Sequence, residues 1–442
     1  MRVALYVHCY YPTHFYGTES YARTLARELS ALGHEPVVVT ATFPGEPRQD
    51  AFVERGSFDG IPVIRIDRNV IPNRTPRDTY DLPDLRFVHE RILRDVRPDI
   101  VHVCHLINHT TALLEVTRQL RLPAVATFTD FFGFCFNNKL SGADGALCAG
   151  PDRLRANCIA CALPAAQGAG EGAAARLKRA LAPGLLARAP GLSAEARPMV
   201  EALKARPDHL RAAYGAYAAA LAPTRFLLDA YTRAGTPVPM ELSRFGIDID
   251  RAQKPARADG VTRLGFIGQL APHKGTHLLV EALRRLDAPA LELEIFGDEG
   301  QDPAYAARLR ALAEGLPVRF RGTFPVERIA EVMAGIDVLA IPSTWVENSP
   351  LILLQALATH TPVVVSDVEG MSEFVEEGEN GFRFPTGSVD GLAAALRRFV
   401  DDPALARELG AQTRYDRTCR AMAEDVVALH GRVRAAGKQY GG

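Results

Sequence analysis

The sequence lacks an excess of either charge: 51 Lys and Arg stand against 52 Asp and Glu, a formal net charge of -1. Without a basic excess there is no electrostatic footprint for nucleic acid, and a nucleic-acid partner is not expected. Long apolar runs are missing too, none approaching the roughly 18 residues of a membrane-spanning helix. The opening MRVALYVHCY has one Arg and an apolar run too short for a signal peptide, so it reads as a first strand. A cytoplasmic protein is expected. The Arg, Lys and Leu residues between Arg176 and Arg188 read as a solvated helix face or, alternatively, as a peripheral contact with the inner face of a membrane. Two glycine signatures are also absent. No GxGxxG opens the first helix, which argues against a nicotinamide or flavin dinucleotide. The stretch GQLAPHKGT (268–276) has the order Lys-Gly instead of GxxxxGK[ST], which argues against an ATPase or kinase.

What is present is the composition of a globular protein: 442 residues, 47% apolar and 23% charged, enough for two domains of about 150–250 residues with their own cores. Short apolar runs alternate with helical periodicity. In the first half, strands are predicted over Arg2–His8, Pro36–Thr40, Pro62–Ile66, Ile100–Cys104, Ala124–Phe128 and Tyr217–Ala222. Thr18–Leu32, Leu82–Val96, Ile107–Leu120 and Pro223–Ala234 are helical, and Gln167–Arg211 is helical padding. The alternation restarts with strands at Arg263–Ile267, Leu291–Phe296, Pro317–Arg321, Val338–Ile341 and Val363–Val365, and from about Asp390 the chain is helical. The fold class is α/β, with two doubly wound parallel sheets.

The chain is organised around Pro342–Asp367, PSTWVENSPLILLQALATHTPVVVSD. Asn348 and Ser349 are good N-cap residues, Pro350 suits the first helical position, and the apolar run Leu351–Leu357 follows. A loop bearing Glu347 thus feeds a helix whose free N–H groups and dipole suit an anion such as a diphosphate. An ordinary loop, helix and strand is the competing explanation.

Glu347, the run Asn348-Ser349-Pro350-Leu351, Gln355 and Thr361–Ser366 resemble the donor-site motif of retaining glycosyltransferases of family 4. That family has two glutamates eight positions apart; here the second position holds Gln355. The segment 268–276 is similar to the family's Gly-Arg followed by Lys-Gly, with Gly268 and Lys274 matching and Gln269 replacing the arginine. Gly17-Thr18-Glu19 resembles the family's glycine loop, Phe245–Asp248 its element at the domain crossing, Gly322-Thr323-Phe324 its contact to the nucleotide base, and Gly370–Glu373 a further element. TFTDFFGFC (127–135) resembles a subset that carries His-Asp, aromatics and a cysteine, with Thr129 here at the His position and Asp130 at the Asp.

The resemblance implies the GT-B architecture: two Rossmann-like domains facing a cleft, with residues 1–222 binding acceptor, 223–414 binding the nucleotide sugar, and 415–442 forming a helix that returns to the first domain. It implies a retaining transferase that moves a sugar from a nucleotide sugar, a UDP- or GDP-sugar, to a saccharide, lipid-linked or small-molecule acceptor without a catalytic metal. Lys274 and Glu347 are the implied catalytic residues. Lys274 and the N–H groups near Ser349 to Leu351 steady the diphosphate, Glu347 orients sugar hydroxyls, and Gln355 meets the ribose. Gly268, Gln269, Phe324, Asn348 and Pro350 complete the donor side, and Gly17 and Asp130 line the acceptor side. Two other readings stand beside it: a sugar-nucleotide binding or scaffolding protein weakened at 129, 269 and 355, and a sugar-nucleotide epimerase of the same architecture. Nucleotide base, sugar, acceptor and oligomeric state are left open. Within an insertion at about 130–163, Cys135, Cys148, Cys158 and Cys161 end in a CxxC pair and read either as ligands of one structural zinc or as four unrelated thiols.

Overall fold

The structure is a computed structural model that describes residues 1–43, 45, 52–162, 173–249, 254–255 and 259–439. In chain order the elements are β1 (Arg2–Val7), α1 (Gly17–Ala31), β2 (Glu35–Thr42), β3 (Val53–Phe58), β4 (Ile61–Asp67), α2 (Leu85–Val96), β5 (Ile100–Val103), α3 (Thr110–Gln119), β6 (Ala124–Thr127), α4 (Ala156–Ala162), α5 (Ala173–Arg188), α6 (Arg197–Tyr214), β7 (Tyr217–Ala222), α7 (Arg225–Arg233) and β8 (Met240–Leu242). There follow β9 (Thr262–Ile267), α8 (Thr276–Leu286), β10 (Leu291–Phe296), α9 (Pro303–Leu312), β11 (Val318–Gly322), α10 (Ile329–Gly335), β12 (Val338–Ile341), α11 (Leu351–Ala358), β13 (Val363–Ser366), β14 (Gly381–Phe384), α12 (Val389–Asp401), α13 (Leu405–Gln412) and α14 (Cys419–Gln439).

The chain divides into two units, Met1–Arg244 with Cys419–Gly442, and Phe245–Thr418. The first holds an eight-stranded sheet of order β3-β4-β2-β1-β5-β6-β7-β8 among the described residues, parallel except for the β3–β4 hairpin. β5 and β6 are buried at every position, which is why their sequences are largely apolar and do not alternate; their two polar residues, His102 and Thr127, are 2.9 Å apart and bond to each other. α14 packs on α1 and β7 and buries Cys419, Met422, Ala423, Val426, Leu429 and His430, the i, i+3, i+4, i+7 stripe of a one-faced helix. The second unit holds a six-stranded, all-parallel sheet of order β11-β10-β9-β12-β13-β14. Its core gathers Leu264, Leu293, Val338 and Val364 from the strands with Leu279, Leu283, Leu396 and Phe399 from the covering helices.

Three strands escaped the sequence reading: β3, β8 and β14. All lie at sheet edges, where one side of the strand has no neighbour and the sequence need not be continuously apolar; no residue of VERGSF in β3 is buried, and Arg55, Gly56 and Ser57 are exposed. β8 pairs in parallel with β7, so Pro223 to Arg244 belong to the first unit, and the boundary lies at Arg244, not at 222. At the other end the boundary falls at Thr418 and not at 414. The expected helical padding becomes α5 and α6, with 167–172 outside the described residues. On α5, Leu181 and Leu185 are exposed; the basic side chains from Arg176 to Arg179 lie outside the described side chains. Among the described residues no helix is long and apolar enough to cross a membrane.

Candidate functional site

In the second unit the chain leaves β12 at Ile341 and runs through Pro342–Pro350 into α11. Pro350 itself is the N-cap, with no side-chain cap bond, and its carbonyl accepts the Leu353 N–H at 3.0 Å. This corrects the expected placement of Asn348 and Ser349 as caps and Pro350 as first helical residue. Ser349 instead takes a left-handed conformation, φ 59°, that turns the loop into the helix. Asn348 Oδ1 and Ser349 Oγ are buried there without a hydrogen-bond partner. Buried polar atoms are rarely left so, and these two stand beside the open N–H groups that begin α11.

Glu347 is 9% exposed, and one of its oxygens, Oε1, collects three donors: Lys274 Nζ at 2.6 Å, Ser343 Oγ at 2.7 Å and Trp345 Nε1 at 2.9 Å. Lys274 closes a short 3-10 turn, Pro272–Lys274, between β9 and α8. Gly275 follows at φ 71°, and a Cβ there would come within 1.9 Å of the Pro342 carbonyl oxygen; a Cβ at Gly370, φ 77°, would come within 1.8 Å of the Glu347 carbonyl oxygen. Only glycine lets these two backbones close on the Glu347 loop. The same approach lets Thr344 donate its N–H to the His273 carbonyl at 2.8 Å and brings the His273 and Trp345 rings to 3.9 Å between centres. Lys274 Nζ lies 5.2 Å from the Trp345 ring centre. Sequence reading named Lys274 and Glu347 but not their contact, and it missed Ser343 and Trp345, whose signal was spacing alone: four and two residues before Glu347.

The remaining donor-side candidates sit at the carboxyl ends of neighbouring strands, where doubly wound sheets gather ligands. Gly268 and half-buried Gln269 follow β9, with the Gly268 N–H on the Phe296 carbonyl. Phe324 follows β11 and meets Phe296 edge-on at 5.4 Å. Leu351 starts α11, and Gln355 is half-buried one turn further on.

In the first unit Gly17 opens α1 with free space where a side chain would stand. Asp130, after β6, accepts from His105 Nε2 at 2.8 Å and from the Phe132 N–H at 2.9 Å. The Ile107 N–H donates to His105 Nδ1, so Nε2 carries the proton toward Asp130. A second pair lies beside it: His8 Nε2 is 3.3 Å from Glu19 Oε1, and the His8 and His105 rings are 4.5 Å apart. Burial, and then the neighbouring His105, holds the His8 pKa well below the ordinary value, while burial raises that of Glu19. Thr129, at the position of the family's His, bonds with Thr18 Oγ1 at 3.0 Å. His8 and His105 were not singled out, because each lies just past an apolar strand whose pattern reads as core, and Glu19 was named only within the stretch that resembles the glycine loop.

Burial, and after it the other three thiols, pushes Cys158 up to about 12. Yet among the described residues no group of three or more His, Cys, Asp or Glu is arranged to hold a metal ion. Cys135 bonds to Asn137 Oδ1, Cys148 to the Gly150 carbonyl and Cys161 to the Ser141 carbonyl. Among the described residues the structure thus assembles no ligand set for the expected zinc, and all four cysteines are free thiols, three of them with a local oxygen acceptor.

Known proteins share this architecture. The family of glycosyl transferases group 1 matches residues 248–416, and Glycosyltransferase Family 4 matches residues 15–143. The chain belongs to the GT4-type glycosyltransferases of GT-B fold. Among relatives in this group, glycogen synthase of Mycobacterium tuberculosis is 33% identical over 168 residues, 37% of this chain and 40% of that protein. Phosphatidyl-myo-inositol mannosyltransferase of the same organism is 34% identical over 160 residues, 34% of this chain and 41% of that protein. The chain thus spans about two fifths of the length of these curated relatives. Among solved GT-B structures, sucrose-phosphate synthase from Thermosynechococcus elongatus superposes with a TM-score of 0.62 at 20% identity, covering 98% of this chain and 99% of that one. Anabaena HepE, solved with UDP and glucose, gives 0.59 at 17% identity, covering 99% and 100%. Identities this low carry the fold and nothing finer.

Proposed function

We propose that this protein transfers a sugar from a nucleotide sugar, a UDP- or GDP-sugar, to a saccharide, lipid-linked or small-molecule acceptor, with retention of anomeric configuration. The observation that carries this reading is the Lys274–Glu347 pair, clamped by Ser343 and Trp345 at the start of α11, where two buried polar atoms have no partner. A diphosphate on Lys274 and the α11 N–H groups draws the ammonium away from Glu347 and gives Ser349 Oγ an oxygen to donate to. Glu347, still held by Ser343 and Trp345, is then free to accept from hydroxyls of the donor sugar. Charge developing on the leaving diphosphate falls on groups already oriented, and that same diphosphate takes the proton of the attacking acceptor hydroxyl, so the protein mainly positions and stabilises. Gln269 and Gln355 stand at the nucleotide with neutral amides, and Gly17 and Asp130 serve the acceptor. The test is incubation of the purified chain with UDP- and GDP-sugars, following nucleoside diphosphate release and the anomeric proton coupling of the product. An inverted product would sink the retaining assignment, and tight donor binding with no release, hydrolytic or transfer, would leave a sugar-nucleotide binding protein.

A further inference from the structure

A cavity of about 270 Å³ opens in the first unit beyond the carboxyl ends of β4, β5 and β6, with α6 as its far wall. That is near the lower end of pockets that hold small ligands, about 300–1,000 Å³. Its chemistry comes from two arginines. Arg206, from α6, is 4% exposed; its guanidinium lies 4.7 Å from the Phe132 ring centre and 5.7 Å from that of Tyr80, and its Nη1 is buried with no hydrogen-bond partner. Arg68, 3% exposed, donates only to neutral oxygens, the Ile71 carbonyl and Asn73 Oδ1, and its Nε is buried without a partner. Asn138 Oδ1, on the same wall, is likewise unpartnered.

No carboxylate among the described residues pairs with either arginine. The two whose charge reaches them are engaged elsewhere: Asp78 with the Arg74 and Thr75 N–H groups, and Asp130 with His105 and the Phe132 N–H. Burial lowers both arginine pKa values, but a guanidinium stays charged in proteins. Two cations thus stand in one cavity without counter-ions, an unfavourable arrangement unless something pairs with them, and aromatic faces offset only part of it. An arginine serving structure alone would have its donors paired; Arg206 and Arg68 each keep one buried nitrogen unpaired, and both residues line the cavity.

We infer that this cavity binds a phosphate-bearing saccharide, with Arg206 and Arg68 on the phosphate. A phosphate near neutral pH carries about -1.5 to -2 charges, matching two guanidiniums, where a carboxylate supplies half that. Calling this ligand the acceptor rests on the transferase reading above; the anion site itself does not.

The test uses the full chain, with UDP present in excess to fill the donor side, and calorimetric titration with glucose 6-phosphate, inorganic phosphate, glucuronate and glucose. Glucose 6-phosphate should bind most tightly, inorganic phosphate less so, and glucose not measurably. Arg206→Met should weaken glucose 6-phosphate roughly ten- to a hundredfold, the range of a lost charged hydrogen bond, and leave UDP affinity unchanged. The same variant without ligand should melt no lower than the parent, because it removes an uncompensated charge. Should it fail to fold, Arg68→Gln is read in the same way. Equal glucose 6-phosphate affinity in parent and variant, no anion binding by the parent at millimolar concentration, or competition between glucose 6-phosphate and UDP would each overturn the assignment, and glucuronate binding as well as glucose 6-phosphate would refute the phosphate. Failure of UDP to bind, with glucose 6-phosphate still bound, would overturn the transferase reading instead and leave this site standing.

Discussion

Replacing Glu347 by Gln keeps the shape of the side chain and removes the charge that Lys274 faces at 2.6 Å. The two side chains are 11% and 21% exposed, so solvent screens the pair only in part. Two unit charges about 4 Å apart attract by about 4 kcal/mol at an effective dielectric of 20, before desolvation is subtracted. The net loss expected for one charged hydrogen bond is about 1.5–3 kcal/mol. Without ligand, Glu347→Gln should therefore lower the melting temperature of the second unit by roughly 3–12 °C, using the scaling for domains of this size. Binding should move the other way. In the parent a diphosphate must draw Lys274 from Glu347, and in the variant that competitor is gone, so UDP should bind about five- to tenfold tighter. A UDP-sugar should lose any advantage over UDP, because an amide replaces the carboxylate proposed to meet the sugar hydroxyls, and transfer should be slow. Calorimetry with UDP and UDP-glucose at one salt concentration, alongside a melting curve, reads all three. If Glu347→Gln weakened UDP as much as Lys274→Ala does, Glu347 would be acting on the nucleotide directly and the competition between carboxylate and diphosphate for one ammonium would be refuted.

Lys274→Ala should weaken UDP by roughly ten- to a hundredfold, the range of a charged hydrogen bond, and unchanged affinity would remove Lys274 from the diphosphate. Gln269→Arg combined with Gln355→Glu should bind donor better than the single changes predict, by a coupling of about 0.5–3 kcal/mol in a double-mutant cycle, and strict additivity would show the two positions independent. Gly275→Ala, forced against the Pro342 carbonyl at positive φ, should destabilise the second unit by about 1–3 kcal/mol and weaken UDP with it; a neutral outcome in a denaturant titration would contradict the close approach. Burial holds His102 at about 3 and His89 at about 4, and His430, whose Nε2 is 3.0 Å from His102 Nδ1, well below its ordinary value. These pKa values are lower folded than unfolded, so the unfolded chain takes up more protons between about pH 6.5 and pH 3, and stability falls as pH falls through that window, by up to about 1.4 kcal/mol per pH unit for each such histidine. His102→Gln should make that acid slope shallower in denaturant midpoints measured from pH 7 to 4; an unchanged slope would show that His102 does not titrate differently on unfolding.

What the sequence determined by itself is the part of the molecule governed by local pattern. Buried parallel strands such as IVHV and AVAT are mostly apolar and do not alternate, helices covering them must carry a stripe at helical spacing, and so both α/β halves were legible. The loop around Glu347 was legible for a related reason: a helix start after a strand end, with Glu347 just before it, lies in one contiguous stretch of sequence. Edge strands β3, β8 and β14 were not, since an edge is set by which neighbour is missing, a fact no residue in the strand encodes. The contact of Lys274 with Glu347 joins residues 73 apart and depends on Gly275 letting two loops close; the spacing names both side chains but not their meeting. The cysteine spacing could not decide between its two readings, because a CxxC pattern fixes distance along a helix while ligation needs four sulfurs around one point, which only tertiary packing sets. Least legible was Arg206. In sequence it is one more basic residue in an Ala- and Arg-rich helix, and only the packing of α6 against the loops after β4 and β6 makes it a buried cation facing a cavity, because burial and charge pairing are properties of what surrounds a side chain and not of the side chain itself.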